Sequence, residues 1–358
     1  MGKRKIPIIF YISALVLALT TVMLIASRRS VSVANTLNEQ IASPYRRFMA
    51  GFAELFSFSL FELIVVLSPV IVGLIIWRLV VVFKRGYGRT RLVCTLLSIA
   101  LLLYSGNTLA LGIAYNTTSV DSYLGLPSVK VEESLLYDAM KELCLEVNTL
   151  SGKIKYSDGK SYSGRSLSET SEEICKSYYR VAEKYGYPDA FTSHAKSVSA
   201  LHFMSYLSLG GIYTYYTGEA NVNTDYPEYD VTFTAAHELA HQRGVLRENE
   251  ANFMAYLVLS ESDDDYLRYS AALNMLSYVG TALWRTNPDA YYEIMAELSD
   301  GAISDIRASR AVSAKYGDTI FSDISNLVND LFLKSNGTDG VVTYGRVVTL
   351  YMSYREVK

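Results

Sequence analysis

The chain has 358 residues, half of them hydrophobic, and a formal net charge of -3 at neutral pH. Its mean hydropathy of +0.15 is high for a soluble protein of this size and low for a transporter that lies wholly in the bilayer. These values predict several membrane spans joined to a soluble domain with its own core. The slight net acidity gives no electrostatic basis for a nucleic-acid partner, and none is expected.

Three hydrophobic segments are long enough to cross a membrane. They lie at about residues 6–26, 60–82 and 92–114. An α-helix rises about 1.5 Å per residue, so each segment reaches across a hydrocarbon core of about 30 Å. No clear small-residue cleavage pattern follows the first segment, which favours a retained anchor over a signal peptide. The sequence therefore predicts a membrane region at residues 1–114 and a separate domain at residues 115–358.

The placement of basic residues predicts which side of the membrane each loop faces. Lys and Arg are enriched in cytoplasmic loops, and here they cluster before the first segment and between the second and third. Both regions lie on one side of a chain with three spans, which puts residues 115–358 outside the cytoplasm. The loop between the first two segments opposes this orientation, but it is longer and carries less weight. Its arginines are Arg28, Arg29, Arg46 and Arg47.

The pattern after residue 115 is that of a mostly helical domain. Leu136, Met140 and Leu143 recur at helical spacing, as do other apolar residues further along the chain. Gly210–Tyr216 is rich in aromatic and β-branched residues and predicts a strand. A Gly-rich break at Asn336–Gly340 is predicted to precede a last helix. The predicted fold class is mainly α: three N-terminal transmembrane helices, then a mostly helical α+β domain with a small sheet.

The two cysteines in this domain, Cys144 and Cys175, can form a disulfide if the domain is extracytoplasmic. Their spacing does not show whether they meet in the fold, because connectivity cannot be deduced from sequence alone. The sequence alone does not decide whether this disulfide forms.

The segment Thr234–Gly244 carries the strongest chemical signal in the chain. It contains His237, Glu238 and His241 in the pattern H-E-x-x-H. Residues four apart share a helix face, so both histidines can bind one ion. Zinc accepts imidazole nitrogen at about 2.0–2.1 Å, and a catalytic site keeps one position for water. Glu238 would act as the general base on that water.

A helix with two polar histidines on the protein surface is the alternative interpretation of this segment. The apolar neighbours of the motif oppose it because they predict a helix buried on its other faces. The chain has only four histidines, and two of them lie in this motif. Both observations favour a Zn²⁺ site.

Two carboxylates are candidates for the third ligand. Gly244 is predicted to end the first helix in a left-handed conformation, and a new helix follows with Glu248 and Glu250 at its start. Glu248 shares a face with Asn252, so Glu248 could bind the metal while Asn252 orients a ligand histidine. Both acids could instead complement the positive end of the helix dipole. The sequence slightly favours Glu248 and leaves Glu250 open.

These motifs resemble those of the zincin metallopeptidases whose third ligand is a glutamate on a following helix. Their E-x-x-x-D segment is matched by Glu248 to Asn252 with Asn in place of Asp. The spacer is shorter than in those enzymes, since Glu248 follows His241 closely. The whole chain also resembles an uncharacterised bacterial family of membrane-anchored H-E-x-x-H proteins. The resemblance implies a zincin-like domain, zinc as cofactor and a peptide or protein substrate.

Three further features are weaker candidates. Thr217–Asn223 could form an edge strand of the kind that binds a substrate backbone in zincins, or an ordinary polar loop. Tyr344 and Arg346, after the Gly-rich break, could stabilise an oxyanion or be structural.

Together these observations predict a multi-pass protein of the bacterial cell membrane with an extracytoplasmic zinc metallopeptidase domain. The substrate would be a peptide or protein. An intramembrane protease is disfavoured because charged residues surround the motif helix. The non-enzyme alternative is a membrane sensor or scaffold that binds zinc without turnover; the intact Glu238 speaks against it.

Overall fold

The structure, a computed structural model, describes residues 6–317, Asp323 and residues 344–358, with the side chains of 344 and 345 left out. The predicted Gly-rich break at Asn336–Gly340 lies outside the described residues. The chain forms two compact units. One comprises Met1–Thr117 together with Thr214–Gly218, and the other comprises Thr118–Tyr213 and Glu219–Lys358.

The first unit is helical. Its α-helices are α1 (Ile8–Arg29), α2 (Val31–Leu37), α3 (Ser43–Ala53), α4 (Leu60–Arg85) and α5 (Arg89–Asn107), with π-helical turns at Asn38–Ala42 and Thr108–Gly112. Within the described residues, three segments are long and apolar enough to cross a membrane: Ile8–Arg29, Leu60–Arg85 and Arg89–Asn116. The prediction of three helices with the length and composition of membrane spans is confirmed.

Several buried polar side chains of this unit form hydrogen bonds with other groups of the same unit. Ser13, Thr20 and Ser27 are buried on one face of α1, and each hydroxyl donates to the backbone carbonyl three residues earlier. Arg46, treated above as a loop charge, is buried and donates to the carbonyl of Ala110 and to Asn38 Oδ1. An apolar surrounding makes unpaired polar groups costly, so these bonds allow the polar side chains to lie inside the unit.

The turn Thr214–Gly218 belongs to this first unit although its neighbours in sequence belong to the second. Gly218 has a φ of +75, in the left-handed region that favours glycine. A β-carbon on Gly218 would lie 2.3 Å from the carbonyl carbon of Met49 and 2.8 Å from the nitrogen of Ala50. Only glycine fits here, because both the backbone conformation and the close approach exclude a side chain.

The second unit is mainly helical and has a continuous apolar core. Its helices are α6 (Val120–Tyr123), α7 (Glu133–Ser151), α8 (Leu167–Tyr185), α9 (Phe203–Tyr206), α10 (Glu228–Gln242), α11 (Glu248–Ser260), α12 (Asp265–Thr286), α13 (Pro288–Met295), α14 (Asp300–Tyr316) and α15 (Tyr344–Arg355). In the core, α12 packs against α7, α10 and α11, and α10 also packs against α11.

Two small sheets complete this unit in its described part. The strands β1 (Lys155–Ser157) and β2 (Lys160–Tyr162) are antiparallel, with Lys155 opposite Tyr162. The second sheet has the order β3–β5–β4, formed by β3 (Lys196–Val198), β4 (Gly211–Thr214) and β5 (Glu219–Asn223). β3 runs parallel to β5, with Lys196 opposite Asn221.

The strand order corrects one prediction. β5, which contains most of the Thr217–Asn223 segment, lies between β3 and β4 and has a hydrogen-bonded neighbour on each side. It therefore cannot be the edge strand that binds a substrate; β4 holds an edge position instead. The possible disulfide is also absent, because Cys144 and Cys175 are buried free thiols that contact the carbonyls of Ile294 and Ser193.

Candidate metal centre

The end of α10 shows how the sequence brings its second histidine into position. Gly244 adopts a left-handed φ of +93, as predicted for the residue that ends this helix. The Gly244 N–H donates to the His241 carbonyl, and the Val245 N–H donates to the Ala240 carbonyl, both at 3.0 Å. This is the Schellman pattern of helix termination. It reverses the chain so closely that α11 begins at Glu248.

The two histidines and Glu248 converge on one point. His237 Nε2 lies 3.3 Å from Glu248 Oε2, and His241 Nε2 lies 3.5 Å from Glu248 Oε1. One donor atom from each of the three residues lies within 4.8 Å of the other two. Bonds of about 2.0–2.1 Å in a tetrahedron require ligand atoms about 3.3 Å apart. The two distances to Glu248 match this spacing, so these three residues could hold a metal ion such as zinc.

A backbone carbonyl fixes the orientation of His241. Its Nδ1 lies 2.7 Å from the carbonyl oxygen of Val245. A carbonyl only accepts hydrogen bonds, so Nδ1 carries a hydrogen, and Nε2 is the nitrogen that faces Glu248 and would bind a metal once its own proton is lost. The turn at Gly244 brings the Val245 carbonyl to His241. The sequence analysis did not identify Val245, since any residue supplies a backbone carbonyl. The one sequence feature that could have indicated this contact is Gly244, which ends the helix.

Asn252 does not have the contact that the sequence predicted. It lies one turn beyond Glu248 on α11 and is partly buried. Within the described ranges, its side chain makes no hydrogen bond to either histidine, and Val245 takes the orienting position at His241 instead.

Glu250 also lies apart from the histidines. Its carboxylate is buried and accepts a hydrogen bond at 2.9 Å from Arg247. Burial raises the pKa of Glu250, whereas Arg247 and a backbone N–H from Val120 lower it. Of the two carboxylates that the sequence left open, the structure brings Glu248 to the histidines and pairs Glu250 with an arginine.

The charges in the cluster are strongly coupled. Burial alone would lower the pKa of His241, but the Glu248 carboxylate outweighs it and raises the pKa to about 9. Burial alone would raise the pKa of Glu248, but attraction to His241 and hydrogen bonds from both imidazoles lower it well below its usual range. Glu248 is therefore ionised at neutral pH, the form in which a carboxylate binds a metal.

Glu238 lies beside this cluster and is 4% exposed. Burial raises its pKa, and the neighbouring histidines lower it less than burial raises it. Among the described residues its Oε2 atom has no hydrogen-bond partner. A buried carboxylate oxygen without a partner is costly in a finished core. This oxygen therefore has an unused capacity to accept a hydrogen bond.

The structure does not connect Tyr344 or Arg346, the two weaker candidates, with the histidine cluster. Tyr344 begins α15, but its side chain lies outside the described residues, and Arg346 is exposed on the same helix. Nothing in the described geometry brings Arg346 to the histidines.

Comparison with known proteins identifies a family but no characterised relative. No curated protein and no solved structure matches the chain. The family model described as protein of unknown function DUF3810 matches residues 35–352, which is most of the chain. This protein therefore belongs to the DUF3810 family.

Proposed function

We propose that this protein is a membrane-anchored zinc metallopeptidase with a zincin-like second unit. One observation carries the proposal: His237, His241 and Glu248 direct their donor atoms at one point, beside the buried and unpartnered Oε2 of Glu238. Two imidazoles and one carboxylate are a ligand set of catalytic zinc sites, which keep a further position for water.

Each residue has a distinct task in peptide hydrolysis. His237, His241 and Glu248 would hold the ion. When bound, zinc makes water more acidic and polarises a carbonyl group. Glu238 would accept a proton from the attacking water at Oε2 while the water oxygen bonds to the carbonyl carbon. As the C–N bond breaks, the same carboxyl group would give that proton to the leaving nitrogen.

The state of Glu238 supports turnover over simple metal binding. A sensor or scaffold needs only the three ligands, and a buried carboxylate with an unpartnered oxygen would then lower stability for no gain. Burial also raises the pKa of Glu238, which brings the group nearer to the range in which a base can also return its proton.

The polarity of α10 and the distribution of basic residues indicate where the substrate would be cleaved. α10 is not among the helices that are apolar enough to span a membrane in the described chain, which supports hydrolysis in water over intramembrane cleavage. The distribution of basic residues supports an extracytoplasmic site. Peptides or protein segments outside the cytoplasm are therefore the proposed substrates.

The test uses the full chain in detergent. We expect about one zinc per chain by elemental analysis, and cleavage of a mixed peptide library that stops when the metal is chelated and returns when zinc is added. Glu238→Gln should keep the zinc and lower the cleavage rate by about 10²–10⁴-fold. Cleavage unaffected by Glu238→Gln would overturn the proposed mechanism. Stoichiometric zinc without any cleavage would support the sensor or scaffold instead.

A further inference from the structure

The edge strand β4 presents one of its two edges to Glu238. On its other edge it faces β5, because the Gly210 carbonyl accepts from the Asn223 N–H at 2.7 Å and the Ile212 carbonyl accepts from the Asn221 side chain at 3.3 Å. Backbone groups of neighbouring residues point to opposite edges of a strand. The backbone groups of Gly211 and Tyr213 therefore face away from β5.

Gly211 and Tyr213 meet Glu238 on that edge. The backbone N–H of Tyr213 donates a hydrogen bond to the Glu238 carboxylate. A β-carbon on Gly211 would lie 2.5 Å from Glu238 Oε1 and 2.6 Å from its Cγ. Real β-carbons do not approach atoms this closely. The absence of a side chain at Gly211 thus allows the strand to reach the carboxylate.

We propose that Gly211 is a positioning residue for Glu238. Because Gly211 has no side chain, β4 can lie against the Glu238 side chain. The Tyr213 N–H then holds the carboxylate by a hydrogen bond, and Oε2 is left without a hydrogen-bond partner among the described residues. The inference rests on the proposed role of Glu238 as the base. A methyl group at Gly211 would displace the carboxylate, and a misplacement of about 1 Å can lower a catalytic rate about 10²-fold.

The neighbouring glycine provides a matched control. A β-carbon on Gly210 would lie 3.6 Å from Thr234 Oγ1 and 3.8 Å from Thr234 Cγ2, which are ordinary contacts. Gly210→Ala adds the same methyl group and the same loss of backbone freedom one residue earlier. A difference between the two variants therefore reports the contact with Glu238.

The first experiment compares the two variants as full chains. Gly211→Ala should lower kcat about 10–100-fold with little change in KM and with zinc still bound at wild-type stoichiometry. Gly210→Ala should stay near the wild-type kcat. Equal kcat for both variants would overturn the inference while leaving the role of Glu238 intact. Loss of zinc from folded Gly211→Ala would also overturn it, because the effect would then act on the ligands.

The second experiment needs no enzyme activity. A β-carbon on Gly211 would also lie 2.6 Å from Thr234 Cγ2, so all variants carry Thr234→Ala to remove that overlap. In this background Gly211→Ala should lower the thermal midpoint by about 3–10 °C when Glu238 is present, and far less when Glu238→Ala is added.

The result separates the two proposals. An equal loss of thermal midpoint with and without Glu238 would show that the methyl group meets something else, and it would overturn the positioning role. Failure to fold only when Gly211→Ala is added to the Thr234→Ala, Glu238→Ala protein would overturn it in the same way. A midpoint loss that depends on Glu238, in a protein that cleaves no peptide, would retain the contact and refute the peptidase.

Discussion

Buried or partly buried acidic side chains lie at both ends of α10, and the two ends differ in the hydrogen bonds that these acids make. Near the start of the helix, Asp230 is partly buried and bonded to Ser309, Tyr229 and Asn274. The neighbouring Asp305 is fully buried and accepts from the Ser161 N–H at 2.9 Å and the Tyr269 hydroxyl at 2.7 Å. Near the end of the helix, Glu238 keeps an oxygen without a partner in the described structure.

This difference shows which property singles out the candidate site. Burial raises the pKa at both ends, for Asp230 as for Glu238, so a shifted pKa does not distinguish them. The acids at the first end have hydroxyl and backbone donors and stabilise the fold. At the second end, donor atoms of three side chains converge. Convergent donors beside an unpartnered oxygen are the arrangement expected of a binding site.

The largest expected effect concerns the two glutamates of α11. Glu248→Gln should weaken zinc binding by more than about 100-fold, because loss of an orienting partner alone costs about 10–100-fold and Glu248 would be a ligand. Glu250→Gln, two residues away, should keep wild-type zinc affinity, since its carboxylate bonds Arg247. Competition with a zinc chelator measures both. Equal affinity for the two variants would remove Glu248 from the ligand set.

The next effect tests the first end of the helix. Asp305→Ala would leave the Ser161 N–H and the Tyr269 hydroxyl without their acceptor, so it should lower the free energy of unfolding by about 2–4 kcal/mol. Denaturation in detergent measures the change. Zinc stoichiometry of the folded variant serves as the control and should not change. A folded Asp305→Ala protein that has lost its zinc would show that the two ends are not independent.

The smallest effect depends on pH. The folded-state pKa of Asp230 is about 6, above the usual value of about 3.9. The stability from its bound proton is therefore complete below about pH 4 and is lost as pH rises through about 6. Asp230→Asn should accordingly be more stable than wild type at pH 8 by about 1–2 kcal/mol, a value reduced for partial exposure, and should lose that advantage at pH 4.

The thermal midpoints of both proteins across this pH range measure the effect of Asp230→Asn. Asp138→Asn, which removes an exposed carboxylate on α7, is the control and should show no such trend. A stability difference that does not vary with pH would mean that folding does not raise the pKa of Asp230.

Much of the fold was predictable because its signals are local. Hydropathy predicted the three long apolar helices, and H-E-x-x-H with Gly244 predicted the motif helix and its end. The pairing of strands was not predictable in the same way. β5 lies inside its sheet because β3, distant in sequence, pairs with it, and no local pattern reports that partner.

For the candidate site as for the fold, the sequence predicted the local features and not the contacts between distant segments. Helical spacing brings His237 and His241 to one face and leaves Glu248 and Glu250 as alternatives, because both begin the same helix. Their difference arises from Arg247 and from the direction in which the Gly244 turn sends α11. The Val245 carbonyl and the Gly211 contact involve backbone atoms or a missing side chain. Sequence patterns of side-chain chemistry do not reveal such contacts.

The turn Thr214–Gly218 affects how the protein should be produced in the laboratory. A fragment that begins at Thr118 would keep this turn and discard Met49 and Ala50, against which Gly218 lies. The turn directly follows the strand that touches Glu238. If such a fragment showed no activity, the cause could be a distorted turn between β4 and β5 as readily as the lack of a catalytic site. Purification of the intact chain in detergent or lipid nanodiscs avoids that ambiguity.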